Sequence, residues 1–220
     1  MKRDAERRSH VTMQSDRIGR DPALAALIVR QFEPSDAAAV RALFIKINRL
    51  MVLPHLADHF EVYMATALRQ EIDIIARYYA AHGGQFFVAT ARGSLVGMFG
   101  LEQADVGVKE LRRMYVDPQF RRSGIGRRLL ARAEIEARMA DCTRMILSTS
   151  ELQSAALELY RQAGYREVRQ EIATQKTNKT IGGAIRRFHF EKMLTDDCEN
   201  PIGESFVRLT PSPGNVRRPA

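Results

Sequence analysis

The sequence is poor in cysteine, and its two cysteines, Cys142 and Cys198, lie far apart in the chain. No cysteine pair, and no cluster of cysteine and histidine, has the spacing of a zinc site or of a disulfide framework. His55 and His59 could share one face of a helix, but their segment lacks the glutamate of the HExxH zinc motif. We therefore expect free thiols in a reducing cytoplasm and no bound metal.

Long apolar runs are also missing from the sequence. No stretch approaches the roughly 18 apolar residues of a membrane span, and the first twenty residues lack the apolar core of a secretory signal. The polar, basic composition of residues 1–24 predicts a flexible arm, and Met13 stays open as an alternative start of the protein. The proline-rich composition of residues 196–220 predicts a disordered tail. These features indicate one domain over residues 25–195 and favour a cytoplasmic protein with no membrane partner.

Positive charge exceeds negative charge, with 34 Lys and Arg against 26 Asp and Glu and a formal net charge of +8. Such a surplus suits an anionic partner, for example phosphate groups or nucleic acid. Much of the basic charge lies at residues 121–128 and in the two tails, and no nucleic-acid motif or basic stripe with interleaved aromatic residues is present. A phosphorylated ligand is therefore favoured over nucleic acid.

The hydrophobic pattern predicts a mixed α/β domain with the element order β α α β β β α β α β β. The first predicted strand covers residues 26–32 and is followed by a helix with Ser35 as its N-cap. A second helix is predicted from about Leu56 to Ala81, because apolar residues recur at helical spacing throughout that segment. Hairpins come early and βαβ units later, which indicates a mixed sheet covered by helices.

The stretch VDPQFRRSGIGRRLL, residues 116–130, joins a predicted strand to a predicted helix. Gly124 and Gly126 permit unusual φ values and let a ligand approach the backbone. The first amides of the helix have no partner within it, and with the helix dipole they form an anion site that suits a diphosphate. Four arginines surround these glycines, namely Arg121, Arg122, Arg127 and Arg128. The alternative is a glycine-tolerant turn beside a solvated basic helix face.

Two better-known phosphate-binding motifs do not fit this stretch. It lacks the GxxxxGK[ST] pattern of an ATP-binding loop, and position 129 is leucine where the GxGxxG pattern of a dinucleotide-binding turn requires glycine. Both of these ligand classes are therefore disfavoured.

The segment RRSGIG, residues 121–126, resembles the [QR]-x-x-G-x-[GA] acetyl-CoA motif of the GNAT acetyltransferase superfamily. A second segment, residues 153–165, is similar to the family pattern N-x-x-A-x-x-L-Y-x-x-x-G-[FY], with Gln153 in place of asparagine. The element order over residues 28–194 also resembles that of the superfamily. The resemblance implies a GNAT fold, with a mixed, mostly antiparallel sheet of six to seven strands, a splayed central strand pair, and helices on both faces.

The same resemblance implies acetyl-CoA as co-substrate and no metal. The last residues of the strand before the motif would bind the pantetheine arm through their backbone, and amides from Arg122 to Arg127 would bind the pyrophosphate. The cofactor-binding residues implied in this way are Met114, Tyr115, Val116, Arg121, Arg122, Ser123, Gly124, Ile125, Gly126, Arg127 and Gln153.

Two catalytic residues are implied. Tyr160 matches the family tyrosine that protonates the leaving thiolate, and its alternative role is that of a core tyrosine on an amphipathic helix. Glu110 lies eleven residues before Arg121, a spacing found for the catalytic base in the histone acetyltransferase branch, and its alternative role is that of a salt-bridged strand residue. Glu102 is a second candidate base, and a water relay is a third possibility. Strand alternation predicts that Glu110 shares one face with Arg112, Met114 and Val116.

The implied reaction is direct transfer of an acetyl group to a primary amine of a small molecule or amino acid. A protein or peptide amine, and a non-catalytic acyl-CoA-binding regulatory module, stay open as alternatives. Residues 45–80 and 171–185 would shape the acceptor pocket, where Lys176 and Lys179 mildly suit a carboxylate, as would Arg112 and Arg113. A homodimer is left open as well.

Overall fold

A computed structural model describes residues 26–194, so the predicted arm and tail lie outside the described residues. Within this range the strands are β1 (Leu27–Gln31), β2 (Gln85–Ala91), β3 (Ser94–Asp105), β4 (Val108–Val116), β5 (Arg144–Ser150), β6 (Arg166–Ala173) and β7 (Ile185–Met193). The α-helices are α1 (Ala37–Arg49), α2 (Ala57–Gln70), α3 (Ile75–Ala81), α4 (Ile125–Met139) and α5 (Ser154–Gln162). None of the described helices combines the length and the apolar character that crossing a membrane would require.

The seven described strands form one sheet in the order β1-β2-β3-β4-β5-β7-β6. Every neighbouring pair is antiparallel except β4 and β5, which are parallel. The pairing of β4 with β5 ends at Leu111 and Leu147, and the two strands separate beyond that point. The predicted mixed α/β sheet with a splayed central pair is therefore confirmed.

Helices cover both faces of the sheet, as expected. On one face, α4 and α5 bury residues such as Leu129 and Tyr160 against Phe99 and Phe190 of the sheet. On the other face, α1, α2 and α3 bury residues such as Phe44 and Tyr79, together with Met98 of β3. The amphipathic stripes that predicted these helices are the surfaces that form the two apolar layers.

The single helix predicted from Leu56 to Ala81 is wrong, because the helical path breaks at Glu71. This residue has φ −141° and ψ −61°, and a short 3-10 turn over 72–74 separates α2 from α3. Apolar periodicity continues across the break because Ile72 and Ile75 enter the same core as α1 and α2. The break turns the Glu71 side chain into the protein, where it is fully buried.

The predicted Ser35 cap is also wrong. Residues 34–36 form a 3-10 turn, and α1 begins after it at Ala37. The carboxylate of Asp36 accepts a hydrogen bond from the Glu33 amide at 2.9 Å and is bound by Arg30 at 2.7 Å. The start of the helical segment is therefore stabilised by Asp36 and not by the serine hydroxyl.

Strand β4 carries a bulge that the sequence pattern did not predict. Gly100 pairs with Arg112 and Met98 pairs with Tyr115, so two residues of β4 oppose the single residue Phe99. Arg113, within the bulge, has a φ of +50°. A bulge inserts one extra residue into a strand, bends it and shifts the alternation of its side chains.

The bulge overturns the expected face of two predicted site residues. Arg112 and the next residue, Arg113, both contact Glu71 on the face covered by α1 to α3. Met114 and Val116 pack against the core on the opposite face. The prediction that they share a face with Glu110 and Arg112 is therefore wrong, because it assumed a strand of uninterrupted alternation.

Candidate active site

The separation of β4 from β5 opens a cleft in the middle of the sheet. Five of the predicted site residues line this cleft, namely Glu110, Met114, Tyr115, Gln153 and Tyr160. Beyond Leu111, none of the described strands pairs with β4 on the side of β5, so the backbone edge of residues 112–116 faces the gap. An open strand edge can bind an extended ligand through main-chain hydrogen bonds.

The loop that follows β4 presents a row of unpaired backbone amides. Arg122 and Gly124 both have positive φ, +62° and +86°. Positive φ at these two positions turns nearby N–H groups toward a common concave surface. Among the described residues, none of the amides from Arg122 to Arg127 donates a hydrogen bond, and the first bond of the helix runs from the Arg128 amide to the Gly124 carbonyl at 3.1 Å.

This loop has the properties of an anion site. Helix α4 is 15 residues long, so its dipole places partial positive charge at the same amides. The side chains of Arg121, Arg122 and Arg127 are exposed around them. Ile125 differs from these neighbours, because its side chain is buried in the core and only its backbone amide can serve a ligand.

Gly126 lies where the loop, the end of β4 and helix α5 meet. A Cβ atom at this position would lie 3.4 Å from Leu159 Cδ2 and 3.9 Å from Val116 Cγ2. The amide row is therefore adjacent to the helix that carries Tyr160. Residues 121–123 also line a second cavity, of about 480 Å³, beside the turn between β2 and β3.

Gln153 occupies the N-cap position of α5, at the edge of the cleft. Its side-chain oxygen accepts a hydrogen bond from the Thr149 hydroxyl at 2.8 Å, and its backbone amide donates to the Ser150 carbonyl at 3.0 Å. The side chain that replaces the family asparagine is therefore held in place by β5.

Tyr160 is a core residue that also borders the cleft. Its ring lies in the core, 5.9 Å from the ring of Tyr165 and 6.0 Å from that of Phe190. Its hydroxyl makes no hydrogen bond with any described residue, although the residue lines the cleft. Burial raises the pKa of this hydroxyl, so it keeps its proton at neutral pH.

Glu110 and Glu102, the two candidate bases, lie in different surroundings. Glu110 lines the cleft, and its carboxylate forms an ion pair with Lys179 Nζ at 2.7 Å. Glu102 is buried and bound by Arg112 and by the Tyr78 hydroxyl. Burial would raise the pKa of Glu102, but Arg112 and Tyr78 outweigh it and lower the pKa, which weakens this carboxylate as a base. The geometry therefore favours Glu110.

A buried charge network beside the cleft was missed by the sequence analysis. The Glu71 carboxylate accepts hydrogen bonds from Arg112 at 2.6 Å, from Arg113 at 2.7 Å and from the Tyr79 hydroxyl at 2.8 Å. Burial by itself would raise the pKa of Glu71, but the two arginines outweigh it and the pKa is lowered. The two adjacent arginines of β4 were the available sign that a buried acid faces them.

The network predicts that the protein loses stability in acid. The pKa of Glu71 and that of Glu102 are both lowered from the ordinary value of 4.5, so their stabilising effect is complete above about pH 4.5 and is lost as the pH falls through the folded-state values. Thermal unfolding followed by circular dichroism from pH 3 to 7 should show this decline. Glu71→Gln should flatten it, whereas Glu61→Gln, at an exposed position of α2, should not. Equal slopes in all three proteins would contradict the assignment.

Comparison with known proteins agrees with this architecture. Residues 82–167 match the family model described as an acetyltransferase (GNAT) domain, and this segment includes β4, the amide row and Tyr160. Among solved structures, an acetyltransferase of the GNAT family from Staphylococcus aureus Mu50 superposes with a TM-score of 0.62 at 20% identity, covering 77% of this chain and 100% of that one. The Salmonella typhimurium protein yncA, solved with its cofactor acetyl-CoA, has a TM-score of 0.56 at 18% identity, covering 79% and 96%. These structures share the fold.

Three curated relatives align with parts of the chain. The IAA acetyltransferase of Azospirillum brasilense is 39% identical over 82 residues, which is 37% of this chain and 54% of that protein. The N-acetylaspartate synthetase of Danio rerio is 35% identical over 108 residues, 48% of this chain and 38% of that protein. The N-acetyltransferase family 8 member 3 of Rattus norvegicus is 35% identical over 114 residues, 49% and 50%. The chain thus spans about half or less of the length of these relatives.

Proposed function

Because the chain belongs to the GNAT acetyltransferase superfamily, we propose that it transfers the acetyl group of acetyl-CoA directly to a primary amine of a small molecule or amino acid. The observation that supports this most is the arrangement around one cleft. The open edge of β4, Tyr160 and Glu110 line it, and the amides of residues 122–127 follow directly after β4, with Gly126 next to Val116 and to the helix that carries Tyr160. An enzyme that transfers an acyl group from a long anionic thioester to an amine needs these parts together.

The co-substrate would be held almost entirely by backbone groups. The unpaired amides of residues 122–127 would bind the diphosphate, with the N-terminus of α4 and the nearby arginines adding positive charge. The free edge of β4 at residues 112–116 would bind the pantetheine arm as an added strand would be bound. The thioester would then reach the part of the cleft that Tyr160 and Glu110 line.

In the transfer step Glu110 accepts a proton, Tyr160 donates a proton, and a C–N bond replaces a C–S bond. Glu110 takes a proton from the acceptor ammonium, and the neutral amine attacks the carbonyl carbon of the acetyl group. The new C–N bond forms and the C–S bond breaks, and the leaving thiolate takes the proton of the Tyr160 hydroxyl. The second amine proton is lost to solvent, solvent restores the tyrosine proton, and Glu110 releases its proton to solvent. The products are the N-acetylated amine, free CoA and one proton.

The name of one relative fits an amino acid as acceptor. N-acetylaspartate synthetase is named after an acetylated amino acid. This relative is aligned over part of its length only, so the acceptor class of this chain is a proposal. The cytoplasmic location and the question of a homodimer stay predictions.

Calorimetric titration with acetyl-CoA at two salt concentrations tests the proposal. We expect micromolar binding that weakens with salt, because phosphate contacts are partly electrostatic. A screen of amines for release of free CoA thiol would follow. Absence of binding would contradict the site itself. Binding without turnover of any small amine or peptide would instead indicate a non-catalytic acyl-CoA-binding module.

Replacement of Glu110 tests the proposed base. Glu110→Gln should lower kcat/KM by about 10- to 100-fold at pH 7, and the deficit should shrink as pH rises, because more of the acceptor amine is then neutral without help. The measurement is a pH profile of kcat/KM from 6.5 to 10. Lys179→Gln is the matched control, since it removes the ion-pair partner and keeps the carboxylate. A loss of equal size at every pH would indicate a structural glutamate.

A further inference from the structure

Arg187 of β7 lies in the cleft and was not singled out by the sequence. Its backbone pairs with Ser150 of β5, and its side chain reaches back along β5 to donate to the Ser148 hydroxyl. The residue is 9% exposed and lines the cleft together with Glu110 and Lys179. A buried arginine is therefore placed at the end of the cleft that the loop between β6 and β7 covers.

The guanidinium of Arg187 is bonded mainly to neutral groups. It donates to the Lys179 carbonyl and to the Ser148 hydroxyl, while its buried Nε has no hydrogen-bond partner among the described residues. The nearest carboxylate is that of Glu171, at 3.9 Å from Nε. Glu171 itself forms closer pairs, with Arg169 at 2.8 Å and with His189 at 3.0 Å.

The other cations that line the cleft are better neutralised. Arg112 and Arg113 share Glu71 at 2.6 and 2.7 Å, and Lys179 pairs with Glu110 at 2.7 Å. Burial lowers the pKa of Arg187, and the more distant Glu171 offsets this only in part. A buried charge is costly unless it is paired and hydrogen-bonded. Among the described cations that line the cleft, Arg187 is therefore the one that a bound anion would stabilise most.

We propose that Arg187 binds a carboxylate of the acceptor, and that the acceptor is therefore an amino acid or a close analogue carrying both an amine and a carboxylate. The claim that the bound molecule is acetylated rests on the proposed function, whereas the claim that Arg187 binds a carboxylate does not. Guanidinium and carboxylate match as planar, bidentate partners, and Nε is one of the donors that such a pair uses. The two lysines named from sequence, Lys176 and Lys179, are then secondary to this buried arginine.

The sheet register places the two ends of such an acceptor. Glu110 lies opposite Ile146 in the pairing of β4 with β5. Arg187 bonds the hydroxyl of Ser148, two residues further along the same face of β5. Two residues of a strand span roughly 7 Å. One small zwitterion can therefore direct its amine toward Glu110 and its carboxylate toward Arg187.

A binding experiment tests the carboxylate site without requiring turnover. The full chain is saturated with CoA. Thermal shift and then calorimetry compare the binding of each of the twenty amino acids found in proteins with the binding of its carboxamide, each ligand at millimolar concentration. At least one acid should bind about 10-fold or more tightly than its amide, because loss of the anion leaves Arg187 unpaired. If no acid binds more tightly than its amide, the proposal is overturned.

Variants show whether Arg187 carries the preference. Arg187→Gln should lower affinity for the acid by about 100-fold and leave that for the amide nearly unchanged. Arg187→Lys should keep part of the preference, because it keeps the charge. Arg186→Gln, at the exposed neighbouring position, should behave as wild type. Equal losses for acid and amide in Arg187→Gln would overturn the proposal.

Steady-state kinetics separates this proposal from the proposed activity. With an acid that is turned over, Arg187→Gln should raise KM and change kcat little, because the contact is made in the ground state as well as in the transition state. Tight binding of an acid without turnover would contradict the acetyltransferase activity and retain the carboxylate site. Turnover of amines with no preference for a carboxylate would support the acetyltransferase activity and overturn the carboxylate site.

Discussion

Gly126→Glu should raise the Kd for acetyl-CoA by about 100-fold or more, which corresponds to about 2.8 kcal/mol or more of binding free energy. The substitution places a carboxylate beside the row of unpaired amides from Arg122 to Arg127. Those amides would then face a fixed negative charge that repels the diphosphate. Calorimetric titration with acetyl-CoA measures the loss, and thermal unfolding verifies the fold.

The local geometry indicates that this variant folds. A Cβ at position 126 meets Leu159 Cδ2 at 3.4 Å, which a flexible leucine can accommodate, and Val116 Cγ2 at 3.9 Å. Gly126→Ala should therefore keep the fold and lose far less affinity. Met139→Glu is the control, because it introduces the same charge at an exposed position at the other end of α4. If Gly126→Glu binds acetyl-CoA as Met139→Glu does, the amide row is not the diphosphate site.

Tyr160→Phe should lower kcat by about 10- to 1000-fold and leave the Kd for acetyl-CoA within about 2-fold of wild type. The ring would still pack against Tyr165 and Phe190, so the core would be preserved, whereas the hydroxyl at the cleft would be lost. The measurement pairs steady-state kinetics with calorimetry on the same preparation.

Tyr165→Phe provides the matched control for this experiment. The Tyr165 hydroxyl is buried without a hydrogen-bond partner among the described residues, and it does not line the cleft, so its removal should leave kcat near the wild-type value. Near-normal kcat in Tyr160→Phe would remove the role of acid. Equal losses in both variants would indicate that core packing, and not the proton, is responsible.

Local sequence patterns predicted much of the fold and part of the candidate site. The hydrophobic segments that predicted β2, β3, β4, α4 and α5 match the described elements, because each pattern is set by residues within a few positions of one another. The proposed phosphate-binding property of residues 121–127 is local for the same reason, since a strand end, two glycines and a helix start are neighbours in the chain. The position of Tyr160 in the second motif follows from its own helix.

Only the tertiary structure decided how the charged residues are paired. Glu71, where the helical path breaks, pairs with Arg112, which lies 41 positions away in the sequence. Glu110 pairs with Lys179, which lies 69 positions away. The bulge at Arg113 arises from the register of β4 against β3, and the cleft arises from the separation of β4 from β5. The environment of Arg187 depends on three separate segments, β5, β6 and the loop that follows β6. Such contacts depend on which residues, distant in the sequence, are buried next to one another. Composition and periodicity do not contain that information.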